Sequence, residues 1–255
     1  MKVAFRVGRW LVEVGRYLGI GPDTTSHPEK FISAIGGALG MLVLYYGLRW
    51  YAHEQAVFLL LTSLAATAVL VFAVPHGALS QPWPVLGGYL ISALAGVTWH
   101  RWMPALEWAI PLAVGTALLG MYYLRCLDPP GGAVALAAVI GGPEIQQLGY
   151  HFIWLPALAN AAVLVVVGVI YNRFFPWRRY PVHVMHLKPH AHLQPDAQKS
   201  VTLTEADFAH ALQQMNSFID ITPEDLLELY ACAQDQALKR AQAIKQTRPR
   251  LRRVA

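Results

Sequence analysis

The sequence predicts an all-α, polytopic helical membrane protein with about six helices, one of them short or re-entrant, and a small helical cytoplasmic C-terminal tail. Three observations predict it. Of 255 residues, 55% are hydrophobic and only 14% charged, against roughly 25% charged in soluble domains. The charges are also segregated: residues 31–172 carry seven (Arg49, Glu54, Arg101, Glu107, Arg125, Asp128 and Glu144), and the other 28 of 35 lie at the two ends. Finally, the apolar middle divides into stretches of about 20 residues, the length a helix needs to cross a bilayer core about 30 Å thick.

The elements follow in chain order. Residues 1–24 form a basic amphipathic interfacial segment, because Phe5, Val7, Leu11, Val14 and Leu18 approximate an apolar stripe beside Arg6, Arg9 and Arg16. The same arginines interrupt any signal-peptide core. The membrane domain, residues 25–182, holds candidate spans at 31–50, 55–74, 84–100, 106–124 and 152–172. Residues 129–142 are only weakly apolar and short. They are a short helix, a re-entrant half-helix, or a span completed by 143–150. Aromatic residues gather at span ends, among them Trp50, Trp102, Tyr122, Tyr123 and Trp177, as in an interfacial belt.

Lysine and arginine decide the number of crossings. Lys2, Arg6, Arg9, Arg16 and Lys30 flank the first span, and Arg173, Arg178, Arg179 and Lys188 flank the last. Both flanks therefore read as cytoplasmic. Six crossings leave only Arg49 and Arg101 in outer loops, whereas five would force one basic flank outside. The expected site is the inner membrane of a bacterium, with both termini cytoplasmic. Beyond it, 183–200 is a Pro-containing linker, and 201–255 is a helical tail with a basic end. Thr204 and the Thr222-Pro223-Glu224-Asp225 run supply its helix starts.

Three apolar helices open with a polar residue and proline: His27-Pro28, Gln81-Pro82 and Asp128-Pro129. Glycine pairs follow at Gly36-Gly37, Gly87-Gly88 and Gly131-Gly132. This is a degenerate three-hairpin repeat. With six crossings the three N-termini face the same side, each carrying about half a positive charge, a geometry that favours anions. The Asp128-Pro129-Pro130-Gly131-Gly132 run would break the sixth candidate below the membrane surface, and a broken helix points to a transport site. Arg125 and Asp128, three apart, are placed either to pair with each other or to act separately, Arg125 attracting an anion and Asp128 carrying a proton. Gln81 and Asn160 are uncharged polar groups at membrane depth or its edge, suited to interhelical hydrogen bonds or to ligand contact. Ser33 and Gly37, and Gly88, Ser92 and Gly96, have the small-residue spacing of packed helices.

Other chemistries are weakly supported. Cys126 and Cys232 stand alone in different regions, so a disulfide framework is not expected. The net charge of +5 sits beside apolar segments, where lipid attraction and topology signalling explain it better than nucleic acid does. His183, His186, His190 and His192 match no specific zinc spacing. No catalytic constellation is present. Neither an enzyme activity nor a cofactor nor a bound metal is expected.

The run from Arg125-Cys126-Leu127-Asp128-Pro129-Pro130-Gly131-Gly132-Ala133 to Gly141-Gly142-Pro143 resembles the signature of the HPP family of integral membrane proteins, named for a His-Pro-Pro motif. Val74-Pro75, Ser80-Gln81-Pro82-Trp83, Gly87-Gly88 and Ser92-Ala93-Leu94 resemble its Gln-Pro segment, and Tyr171-Asn172-Arg173 and Arg178-Arg179-Tyr180-Pro181 its close. The resemblance covers roughly residues 25 to 182. The sequence departs from it at Asp128, in place of the family histidine, at Tyr89, where histidine is expected, and at Pro84, where asparagine is usual. Family members are regarded as transporters, and plant chloroplast and cyanobacterial relatives are associated with nitrite. Some bacterial members carry a C-terminal CBS pair, which is not expected here.

The expectation is therefore a transporter or channel for a small inorganic anion, nitrite being the best single guess. Its pathway would use Gln81, Pro82, Gly87, Gly88, Arg125, Asp128, Pro129, Pro130, Gly131, Gly132 and Asn160. The expected partners are the lipid bilayer, the anion and a second copy of the chain. The alternative is a membrane-anchored scaffold or sensor whose C-terminal helices bind a cytoplasmic partner.

Overall fold

The computed structural model describes residues 25–51, 54–178 and 180–182, together with Leu18 and Tyr230. The interfacial segment, the 183–200 linker with its histidines, and the tail lie outside the described residues, but for Leu18 and Tyr230. Every regular element among the described residues is helical: α1 (His27–Tyr51), α2 (Glu54–Ala73), α3 (Pro82–Trp102), α4 (Leu106–Tyr123), α5 (Pro129–Ile140), α6 (Gly142–Leu148) and α7 (Asn160–Arg173). A π-helical stretch, Ile153–Ala159, leads directly into α7.

Proline and glycine set these boundaries. Pro82 opens α3 and Pro129 opens α5 at the first helical position, where the missing N–H is no loss and φ is already helical. Gly141 ends α5, and Gly142 turns the chain at φ +79°, a conformation that side chains with a Cβ rarely adopt. Pro156 sits inside the last pass. It cannot donate and its ring crowds the preceding turn, and the wider π turn accommodates both defects.

The helices make six passes through the bundle: α1 packs with α2, α5 packs against α3, α4 and α2, and the π stretch and α7 pack against α1, α2 and α3. Contacts fix the directions. Trp99 Nε1 donates to Thr116 Oγ1 at 2.9 Å, and Gly120 packs on Ile91, so α4 runs against α3. Gly88 meets Asp128, Gly131 meets Ser92, and Gly96 meets Ala135 and Ala138, so α5 runs alongside α3. The small residues at 88, 92 and 96 thus bring these two helices into close contact, as their spacing predicted. Ala109, Ala113, Ala117 and Met121 turn one buried stripe of α4 into the bundle.

One end of the bundle is tied by a buried charge network. Arg178 is fully buried, and its guanidinium donates to Glu29 Oε1 at 2.8 Å, Asn172 Oδ1 at 2.9 Å, Ser33 Oγ at 2.6 Å and the Phe72 carbonyl at 2.9 Å. Trp177 Nε1 donates to the other Glu29 oxygen at 2.8 Å. The start of α1, the end of α2 and the end of α7 therefore lie together. Around the bundle, Phe31, Leu42, Val69, Leu119, Val166 and Ile170 are exposed. Exposed aromatics cluster near both ends: Trp83, Tyr122, Tyr123, Phe174 and Trp177 at one, Trp50, Trp102, Trp108 and Trp154 at the other. An apolar girdle between two aromatic belts is the surface of a membrane protein. Two helical stretches, His27–Trp50 and Ile153–Arg173, meet the length and mean hydropathy of a span by themselves, at 1.8 and 2.3.

Candidate functional site

The site forms where α4 ends and α5 begins. α4 closes with a Schellman arrangement: the Arg125 N–H donates to the Tyr122 carbonyl at 3.2 Å and the Cys126 N–H to the Met121 carbonyl at 2.9 Å. The residue that turns left-handed there, at φ 54°, is Arg125 and not glycine. From this turn residues 124–128 run inward along α3. Trp83 Nε1 donates to the Leu124 carbonyl at 3.1 Å, Gly87 lies against Cys126, and Gly88 lies against Asp128. From Pro82 to Gly88 the rise is about 9 Å, at about 1.5 Å per residue, so α5 starts well inside the bundle. That is irregular backbone at depth, tolerated only where protein encloses it or a wet path reaches it.

The close approach depends on missing side chains. A Cβ on Gly87 would come within 2.7 Å of Cys126 Cβ, and one on Gly88 would run into Asp128 Cβ. On the α5 side, a Cβ on Gly131 would come within 2.6 Å of Ser92 Oγ and 3.2 Å of Met121 Sδ. Gly132 has open space where its side chain would be.

Asp128 is the N-cap of α5, yet its side chain makes no capping bond. Pro129 and Pro130 have no N–H to offer, and the Gly131 N–H donates to the Asp128 main-chain carbonyl at 2.9 Å. The carboxyl is fully buried, and neither oxygen has a hydrogen-bond partner among the described residues. Ser92, also fully buried, donates to Met121 Sδ at 3.9 Å, its one acceptor among the described residues. Two under-satisfied polar groups thus lie near the Gly131 backbone in an otherwise apolar interior.

The expected site residues separate into three sets. Gly87, Gly88, Asp128, Pro129, Pro130 and Gly131 come together at the break, with Gly132 following on α5. Arg125 is exposed at the turn, and no ion pair joins it to Asp128 among the described residues. Gln81 and Asn160 are engaged elsewhere. Gln81 Nε2 donates to the carbonyls of Pro75 and Gly77 at 3.1 and 2.9 Å, and its Oε1 accepts from the Val182 N–H at 3.0 Å. Its amide fastens the 75–82 loop, beside Pro82, to the end of the domain. Asn160 is buried and donates to the Pro156 carbonyl at 2.6 Å within its own helix.

Sequence reasoning missed two features. At Ser92 the spacing favours packing over substrate contact, although a hydroxyl in a Gly-xxx-Ser-xxx-Gly run is the one polar group such a face can aim inward. Arg178 was counted as part of a basic flank, and its burial had no sequence signal beyond the Glu29 available to meet it. Beyond α7, Tyr180 is buried against Gly168, and that burial pushes its phenol up from the ordinary tyrosine value.

Comparison with known proteins agrees with this architecture. Residues 22–181 match the family model described as HPP, transmembrane region. The chain belongs to the HPP transmembrane family. It is 33% identical over 157 residues to a transmembrane protein of Dictyostelium discoideum, covering 60% of this chain and 49% of that one. A second transmembrane protein of the same organism is 29% identical over 194 residues, 71% of this chain and 67% of its own length. The chain therefore spans about half the length of the first of these relatives. No solved structure matches it. This HPP protein is a membrane protein, and the break before α5 falls at its Asp128-Pro129-Pro130 run.

Proposed function

We propose that this HPP protein is a transporter or channel for a small inorganic anion, with nitrite as the best single case. In this reading it lies in a bacterial inner membrane with both termini cytoplasmic. The observation that carries the proposal is the break itself, an extended stretch of chain leading from the exposed Arg125 to a buried helix N-terminus at Asp128. Broken helices at depth are where membrane transporters hold their solutes.

Arg125 supports the same reading. A non-glycine residue in the left-handed region costs roughly 1–2 kcal/mol relative to glycine, and such residues cluster where side-chain chemistry is needed. Arg125 would attract the anion to the mouth of the path. The α5 dipole would favour it further in, although Pro129 and Pro130 leave few terminal N–H groups to bind it. Of the four glycines, Gly132 has open space beside it and would let an anion approach backbone, whereas Gly87, Gly88 and Gly131 are closed by Cys126, Asp128 and Ser92. The test uses purified protein in liposomes. Arg125→Gln should lower saturable nitrite flux severalfold while the protein still folds, and unchanged flux in that variant would remove Arg125 from the pathway.

A further inference from the structure

We propose that Asp128 carries a proton together with the anion, so that transport is an electroneutral symport of one proton per anion. The inference rests on the anion-transport reading and deepens it by assigning its coupling.

The argument starts from the unpartnered carboxyl. Among the described residues, both Asp128 oxygens are buried without a hydrogen bond and no cationic side chain pairs with them. Burying an ionised carboxylate without donors is costly, and binding a proton removes that cost. The nearest compensation is the Gly131 N–H, which favours the ionised form but is already given to the Asp128 main-chain carbonyl at 2.9 Å. On α3 the titratable neighbour is Tyr89, whose hydroxyl is engaged with Thr67 Oγ1 of α2 at 2.9 Å. On the approaching stretch it is Cys126, with Arg125 exposed at the turn. α4 brings Met121, and α5 itself contains no titratable residue.

Protonation also changes what the group can do. An ionised carboxylate only accepts hydrogen bonds and repels an anion, whereas a carboxylic acid has one O–H to donate. Ser92, with a hydroxyl bound only weakly to sulfur, supplies a second donor beside the Gly131 backbone. The site therefore accepts an anion when Asp128 is protonated and disfavours it when Asp128 is ionised. The proton comes from water on one side and leaves to water on the other. With each turnover, one negative and one positive charge cross together.

The test uses proteoliposomes with matched empty liposomes to subtract passive permeation of nitrous acid, and nitrite as probe. With one proton per anion, a pH difference of one unit should drive saturable initial nitrite uptake faster than in empty liposomes, toward a ratio of about tenfold. Clamping the membrane potential with potassium and valinomycin should leave that ratio unchanged. Asp128→Asn keeps an N–H donor but cannot titrate. It should lose pH-driven nitrite accumulation. Accumulation that follows voltage and ignores pH in the unaltered protein would overturn the proposal while leaving anion transport intact, with no reliance on a variant. Retention of pH-driven accumulation by Asp128→Asn would overturn the role of Asp128. Absence of flux for nitrite, nitrate, formate and chloride alike would overturn the underlying transport reading, and this one with it.

Discussion

Asp128 and Gly88 define each other's surroundings, and the pair makes predictions that do not depend on transport. Gly88→Ala places a Cβ against the Asp128 side chain. Overpacking of this kind costs typically about 1–3 kcal/mol. The melting temperature in detergent should fall, and combining the change with Asp128→Gly should recover part of the loss. An additive loss in the double variant would mean that the two residues do not meet. Arg178→Met leaves the Glu29 carboxylate buried without its partner, and breaking a buried pair from one side costs about 3–5 kcal/mol. Glu29→Gln combined with Arg178→Met should be destabilised less than Arg178→Met alone, as read by denaturant unfolding. These residues differed in legibility. Asp128 stood out because an acid is rare in an apolar run. Arg178 did not, because Arg178-Arg179 looks like any basic flank, and only the fold turns the first of the two inward. Gln81 was legible as a polar group at a helix start. That its amide would be consumed by the 75–82 loop and Val182 was not, since both of those partners come from chain outside α3.

Helix boundaries were the more legible level, because proline and glycine act locally. The expected start at 129 and the observed start at Pro129 agree, and the other spans differ by at most a few residues. The sequence left open how 129–150 would divide. Gly142 divides it by taking φ +79° between α5 and α6, and a glycine's backbone angle cannot be seen in its neighbours. Gly142→Ala should therefore cost about 1–2 kcal/mol, measurable as a lower melting temperature. The end of α4 gives a sharper test. At Arg125 the left-handed turn would suit glycine better. Arg125→Gly should keep or raise thermal stability, while flux falls as in Arg125→Gln. A loss of stability in the glycine variant would show that the arginine side chain, and not only the turn, holds the Schellman closure.

At the scale of the whole molecule, the packing of the helices places the starts of α1, α3 and α5 toward one end. Their direction was readable from basic flanks and span lengths. The inward run of 124–128 was foreshadowed by the shortness of the 129–142 stretch, but its depth depends on the packing of α5 beside α3. In a chain with Cys232 changed to Ser, a cysteine at exposed Ala78 should react with a membrane-impermeant thiol reagent from one side only. A cysteine at exposed Glu107 should react only from the other. Reaction of both from the same side would overturn the six-pass arrangement. Removal of residues 195–255 distinguishes a transporter, which should keep part of its flux, from a scaffold, which should lose its phenotype. The most direct test of the central claim is solute flux into proteoliposomes of the purified, folded protein, comparing nitrite, nitrate, formate and chloride with empty liposomes. Saturable nitrite flux that responds to substitution of both Arg125 and Asp128 is the predicted result, and folded protein that moves none of the four anions would contradict it.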